Sequence, residues 1–230
     1  MKNYLQKLYE KAVNFNHKNI FNLLEKNSGA KFFDLGCDDG VLTMKMANKI
    51  GTKSVYGVEI VGERIKLSEQ NGVKVKKFDL NGKFDFPDNF FDVANANQVI
   101  EHLYNSDNFF SEIHRVLKPG GYAIISTENA SSWCNIVASI MGWQIFSLTN
   151  FSSKKQGIGN PFALHRDDFP NLESWNHVRI YNIRGLNEYF EVFGFKVEKI
   201  KGSGYFPLSA ELGNIDKTHC HFMTFKVRKI

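Results

Sequence analysis

Carboxylates crowd a glycine-rich turn early in this chain of 230 residues: Asp34-Leu35-Gly36-Cys37-Asp38-Asp39-Gly40. Such a turn, between a strand and a helix, lets backbone N–H groups approach a ligand closely. A dinucleotide site needs Gly-x-Gly-x-x-Gly, with the pyrophosphate on the helix N-terminus. Here the spacing is Gly-x-x-x-Gly, and Asp34, Asp38 and Asp39 would repel a pyrophosphate. They suit a ligand end that carries positive charge, an amino group or a sulfonium. Glu59 then closes a second apolar run, where a carboxylate can accept hydrogen bonds from ribose hydroxyls. Asp79-Leu80-Asn81 closes a third, where a carboxylate and a backbone amide can read an adenine edge. Any one of these is ordinary, because strand ends collect Asp and Asn. In order, at three successive strand tips, they describe an adenosyl site.

The elements that must hold these residues follow from periodicity. Residues 3–26 place Leu5, Leu8, Tyr9, Ala12, Val13, Ile20, Phe21, Leu23 and Leu24 mostly at helical spacing, predicting one or two amphipathic helices within an N-terminal segment over 1–28. Short apolar runs at 31–35, 54–60, 73–78, 90–95 and 122–127 read as strands. Helices are expected over 41–50, 62–70, 99–103 and 109–117, the last closed by Lys118-Pro119-Gly120-Gly121. This alternation implies a parallel, doubly wound α/β sheet with ligands at the carboxyl ends of its strands. The rhythm breaks over 129–182, read as an inserted cap, and returns with a helix at 185–193 and strands at 195–200 and 221–227. One domain, 1–230, is expected.

Composition narrows the class. The hydrophobic share is 43% and the charged share 23%, which excludes a disordered, collagenous or coiled-coil chain. Three widely spaced cysteines make no disulfide scaffold. His219-Cys220-His221 reads as part of a strand and not as a metal site. No apolar run reaches a membrane span and Met1–Lys7 lacks a signal-peptide core, so a cytoplasmic protein is expected. The net charge of +5 comes from scattered lysines, which argues for solubility over nucleic-acid binding. Phenylalanine is abundant, 21 residues, and points to an apolar pocket or lid beside the core.

Taken together, these segments resemble the class I S-adenosylmethionine (SAM) dependent methyltransferases, in particular the type 11 group. The resemblance is carried by Phe33–Gly40, Val58-Glu59, Phe78–Asn81, Phe90–Val93 with Val99–Leu103, and Glu112–Gly121, in the family's order over roughly residues 30–128. Leu117-Lys118-Pro119-Gly120-Gly121 is its most distinctive part. Asp38 stands where the family usually has glycine; Asp tolerates left-handed backbone better than most residues, but its carboxylate must find a partner. The resemblance implies a Rossmann-like seven-stranded sheet in the order 3-2-1-4-5-7-6 with the last strand antiparallel. It implies SAM as cofactor and S-adenosylhomocysteine as product. Asp34 and Gly36, with Cys37, Asp38 and Gly40 in the same loop, would take the methionine end. Glu59 and Ile60 would take the ribose, Asp79 and Leu80 the adenine, and Asn97 and Gln98 would flank the sulfonium.

Methyl transfer from a sulfonium is an in-line displacement that requires positioning and exclusion of water, and a base only for some acceptors. His102 is the candidate base; Glu101 and His102 equally read as helix packing, and as metal ligands they lack an obvious third, so no metal is expected. His165, His177 and Tyr181 are candidates for binding the acceptor if the cap covers it, although His165-Arg166-Asp167-Asp168 also reads as a surface turn. Cys37 reads as small-residue packing. Trp133, Trp143, Phe146, Phe151 and Trp175 would form the cap's own core, line a pocket for an apolar or aromatic acceptor, or both. The expected function is methyl transfer to a small-molecule or lipid- or sugar-linked acceptor. An RNA or protein methyltransferase, a nucleotide-linked oxidoreductase and a non-catalytic SAM-binding protein are the alternatives.

Overall fold

In a computed structural model of the chain, residues 2–166 and 175–230 are described. Its centre is a seven-stranded sheet in the order β3-β2-β1-β4-β5-β7-β6. The strands are β1 (Lys31–Leu35), β2 (Ser54–Val58), β3 (Lys74–Lys76), β4 (Phe91–Asn97), β5 (Leu117–Glu128), β6 (Phe195–Ser203) and β7 (Phe222–Lys229). The first five pair in parallel, and β7 runs antiparallel to both β5 and β6. The helices are α1 (Lys2–Leu23), α2 (Val41–Ile50), α3 (Gly62–Gln70), α4 (Ser106–Val116), α5 (Trp133–Ile140) and α6 (Ile183–Val192). No described helix is long and apolar enough to cross a membrane.

Adjacent residues of a strand face opposite sides, so Phe32 and Phe33 enter different cores. Phe32 joins Ile20, Leu23, Met46, Ile50 and Val55 beneath α1 and α2. Phe33 joins Phe84, Phe86, Phe91, Phe109, Phe110, Phe190 and Phe225 beneath α4 and α6. Phe33 stacks on Phe91 with ring centroids 4.4 Å apart and planes 9° apart, worth about 1 kcal/mol beyond the area buried. Most of these rings fill one sheet face, and among the described residues Phe146, Phe162 and Phe206 line the cavity described below, so the phenylalanines serve both a core and an apolar pocket.

The expected turn Lys118–Gly121 is drawn into β5, with Gly120 at φ 74° and a register shift opposite Phe91 and Val93. A Cβ at Gly121 would lie 2.9 Å from the Lys118 carbonyl, so no larger residue fits that bend. The helix expected over 99–103 is one 3-10 turn, Ile100–His102, entered through Gln98 at φ 56°. α1 is one continuous helix and docks on the sheet through polar side chains. Asn16 accepts from Ser126 Oγ (3.0 Å) and Thr224 Oγ1 (2.6 Å) and donates to Asn97 Oδ1 (3.1 Å). That anchor brings Leu5 and Tyr9 over the strand tips. The segment expected as a cap holds α5 and a 3-10 turn at Phe146–Leu148, and it rejoins the sheet where Tyr181 bridges Asn129. Its residues 167–174, Asp167 and Asp168 among them, lie outside the described residues.

Candidate active site

The loop after β1 is built to hold a tight left-handed path. Gly36, Asp38 and Gly40 adopt φ of 76°, 47° and 81°. Asp38 therefore takes the conformation expected of the family's glycine, and its carboxylate pairs with Arg64 Nε at 3.2 Å on the surface. A Cβ on Gly40 would meet Ser68 Cα at 2.9 Å, so this position requires glycine for space as well as for φ. Asp39 Oδ1 accepts from Val41 N (2.9 Å) at the start of α2. Asp34 lies underneath, 4% exposed, taking hydrogen bonds from Thr43 Oγ1 (2.5 Å) and Asn95 Nδ2 (2.7 Å). Burial pushes its carboxyl up to about 7, although Asn95 and Thr43 pull it down. Cys37 is buried behind the loop, its sulfur 3.4 Å from Ser68 Oγ. Gly36 stands exposed at the tip.

The neighbouring tips complete an edge. Glu59 accepts from the amides of Ile60 (2.8 Å), Val61 (2.9 Å) and Asp38 (3.1 Å), tying the loop to the start of α3. Ile60 is exposed beside it. Asp79 is exposed and accepts from the Asn81 amide, Leu80 is buried in the core, and Asn81 Oδ1 accepts from the amides of Tyr104 and Asn105. Asn97 and Gln98 end β4; the Gln98 amide donates to the Ser126 carbonyl at 2.8 Å.

Beyond Gln98 opens a cavity of about 500 Å³. α1 supplies Leu5 and Tyr9, the cap segment supplies Trp133, Cys134, Trp143, Phe146, Phe162, His165 and His177, and the sheet edge supplies Gln98, Glu101, Glu128 and His221. Phe151 and Trp175 stay exposed outside it. The lining is thus part aromatic and part titratable. His102 Nδ1 meets the Asn176 carbonyl at 3.1 Å, and His177 Nδ1 meets the Ser147 carbonyl at 2.7 Å. A carbonyl only accepts, so both rings donate from Nδ1 and turn an Nε2 lone pair outward. The rings stand edge to face with centroids 4.8 Å apart. Glu101 is 1% exposed; one oxygen accepts from Thr127 Oγ1 (2.9 Å) and the other, Oε1, has no hydrogen-bond partner among the described residues. Ligand atoms of Glu101, His102 and His177 all lie within 4.8 Å of one another. Two imidazole nitrogens and a carboxylate oxygen are a donor set for a first-row divalent cation. Burial, and then His177, hold His102 down to about 4. Burial pushes Glu101 up to about 7 against the pull of His177.

Known proteins similar to this chain point to one family. A family model described as a methyltransferase domain matches residues 1–200. The chain belongs to this family. Among curated proteins, the mitochondrial ubiquinone biosynthesis O-methyltransferase of Rattus norvegicus is 25% identical over 210 residues, 87% of this chain and 54% of that protein. A probable SAM-dependent methyltransferase of Mycolicibacterium smegmatis is 32% identical over 133 residues, 58% of this chain and 38% of that protein. The chain thus spans about half the length, or less, of these relatives. A solved SAM-dependent methyltransferase from Thermotoga maritima, described as a possible histamine N-methyltransferase, superposes with a TM-score of 0.63 at 16% identity, covering 99% of this chain and 95% of that one. At that identity the likeness is one of fold.

The residues of this methyltransferase domain fit SAM, the cofactor the family implies. Gly36 is exposed at the loop tip, where a Cβ would meet Val99 Cγ2 at 2.9 Å so that only bare backbone faces a ligand, and the loop's carboxylates suit one bearing an ammonium and a sulfonium. Asp34, Gly36, Cys37, Asp38, Gly40, Glu59, Ile60, Asp79, Leu80, Asn97 and Gln98 all lie along the tips of β1 to β4, Cys37 and Leu80 as buried backing. Of the residues expected at the acceptor, His165 and His177 line the cavity. Tyr181 does not: its hydroxyl meets Ser106 Oγ at 2.7 Å and its ring packs toward Tyr189. His102 sits behind His177.

Sequence reasoning missed Tyr9, Cys134, Glu128 and His221 as wall residues. It also missed His177 as the partner of Glu101 and His102. For two of these a signal existed. The resemblance set the last strand beside the fifth, which makes the end of β5 (Glu128) and the start of β7 (His221) neighbours.

Proposed function

We propose that this domain transfers the methyl group of SAM to a hydroxyl oxygen of a small acceptor with an apolar or aromatic body. One observation carries the reading: the segment that leaves β4, where the sulfonium is expected, also supplies Gln98 and Glu101 to the wall of the aromatic-lined cavity. An acceptor whose body lies against Trp143, Phe146 and Phe162 turns its polar end toward Glu101 and His177. When bound, SAM supplies an activated methyl group that leaves with its electron pair on a neutral thioether sulfur. The chain's own work is to align the acceptor oxygen, exclude water with α1 and the cap segment, and draw off the hydroxyl proton. In this reading Glu101 or His177, which line the cavity, takes that proton with His102 packed against His177, and a divalent cation on the three would lower the hydroxyl's pKa. The names of the ubiquinone-biosynthesis O-methyltransferases support an oxygen acceptor.

The test is an acceptor panel with methyl-labelled SAM: phenols and catechols with apolar substituents, amines of the same shape, and an RNA and a protein mixture. Labelled methyl ether from the phenolic set supports the reading. Label only in amines, RNA or protein contradicts it.

A further inference from the structure

A second constellation is built into the cavity wall from three separate elements: Cys134 on α5, His221 at the entry to β7 and Glu128 at the end of β5. Cys134 Sγ lies 3.5 Å from His221 Nδ1. On the other side of the ring, His221 Nε2 faces Glu128 Oε1 at 3.8 Å. His221 is 5% exposed and Glu128 9%, and His221 Nε2 and Glu128 Oε2 have no hydrogen-bond partner among the described residues. The imidazole is fixed edge-on by Tyr9, Phe206 and Phe222, with centroids 6.0, 5.0 and 4.5 Å away. Cys134 alone of the three is partly exposed, and it lines the cavity. It also lies in the first turn of α5, where the helix favours negative charge, and Ser132 Oγ at 3.2 Å can donate to its sulfur.

A thiol that can pass its proton to an imidazole, itself faced by a buried carboxylate, has the geometry of an activated nucleophile. The other two cysteines lack it. Cys37 is buried against Ser68 Oγ, and Cys220 against the carbonyls of Lys217 and Phe222. Burial pushes both thiols up to about 12.

We propose that Cys134 is a nucleophilic thiol of the acceptor cavity, with His221 as its base and Glu128 orienting the ring, and that it adds to soft electrophiles of the α,β-unsaturated carbonyl class. The sulfur lone pair forms the bond to the β-carbon while the carbon–carbon π pair moves onto the carbonyl oxygen. The thiol proton passes to His221 Nδ1 and from there to the α-carbon, so no oxidant or reductant is needed. This rests on the cavity alone and not on the methyl-transfer reading.

The test treats the full chain with N-ethylmaleimide and maps modified peptides by mass spectrometry against time. Cys134 in the native protein should react at least about a hundredfold faster than the same cysteine in the urea-unfolded chain, the low end of what a positioned base contributes. Cys37 and Cys220 should react more slowly native than unfolded. His221→Ala should remove the acceleration and Glu128→Gln reduce it. If either variant fails to fold, the native-to-unfolded ratio of the wild type decides alone. A native Cys134 no faster than the unfolded one overturns the proposal. S-adenosylhomocysteine should bind the modified protein as before, measured by calorimetry; its loss would place Cys134 in the cofactor site and overturn the assignment to the acceptor cavity.

Discussion

Asp34 offers a quantitative check on the architecture beneath the cofactor loop. Its carboxyl titrates near 3.8 when unfolded and is pushed up to about 7 by burial in the fold. A group whose folded pKa is raised gives stability that is fully present below the unfolded value and lost as pH rises through the folded one. At pH 5 the native carboxyl is protonated while the unfolded one is ionised; at pH 8 both are ionised. Integrating between those limits, folding loses roughly 2–3 kcal/mol from this one group. Asp34→Asn keeps the shape and can still accept from Asn95, while Thr43 turns to its alternative acceptor, the Cys37 carbonyl at 3.4 Å. The variant cannot titrate. Urea melts of both proteins at pH 5 and pH 8 cancel every other group in the double difference. Relative to wild type, Asp34→Asn should therefore be roughly 2–3 kcal/mol more favourable at pH 8 than at pH 5. An equal difference at the two pH values would refute the buried, raised carboxyl and with it this account of how the loop is anchored.

Gly40→Ala forces a side chain into left-handed backbone and against Ser68 Cα, so it should cost roughly 1–3 kcal/mol in a urea melt and weaken S-adenosylhomocysteine binding. Asp38→Gly should be near neutral, within about 1 kcal/mol: relief at φ 47° is offset by glycine's entropy, and the exposed pair with Arg64 is worth little. Cobalt(II) should bind one-to-one with visible ligand-field absorption, weakened at least about a hundredfold in Glu101→Gln and in His177→Ala. Absorption unchanged in both variants would place the cation elsewhere.

Much of the sheet was legible because its signals are local. β1 lies at 31–35 as expected, and α2 and α3 keep their expected bounds, since each is closed by glycine or Asn-Gly. The left-handed turn at Asp38 followed from residue type, though its pairing with Arg64 did not, because that contact depends on how α3 packs. Val99–Leu103 looked helical from composition alone, yet the backbone reverses at Gln98 and leaves room for a single 3-10 turn. The acceptor side was least legible. His177 reaches Glu101 and His102 through a segment without periodicity, and its backbone neighbours Val178 and Arg179 are fixed by the Glu101 carbonyl at 2.9 and 3.2 Å. Contacts of that range leave no trace in local spacing. The abundant phenylalanines pointed to a core and an apolar pocket but could not be divided between them, because composition cannot say which side of a sheet a ring occupies.

Calorimetric titration with S-adenosylhomocysteine, with NADH as control, tests the central claim most directly. Saturable one-to-one binding of the first and none of the second is the predicted result, with binding weakened by Glu59→Ala, which removes the carboxylate that holds the Asp38, Ile60 and Val61 amides. Binding of NADH, or indifference to both ligands at millimolar concentration, would contradict it.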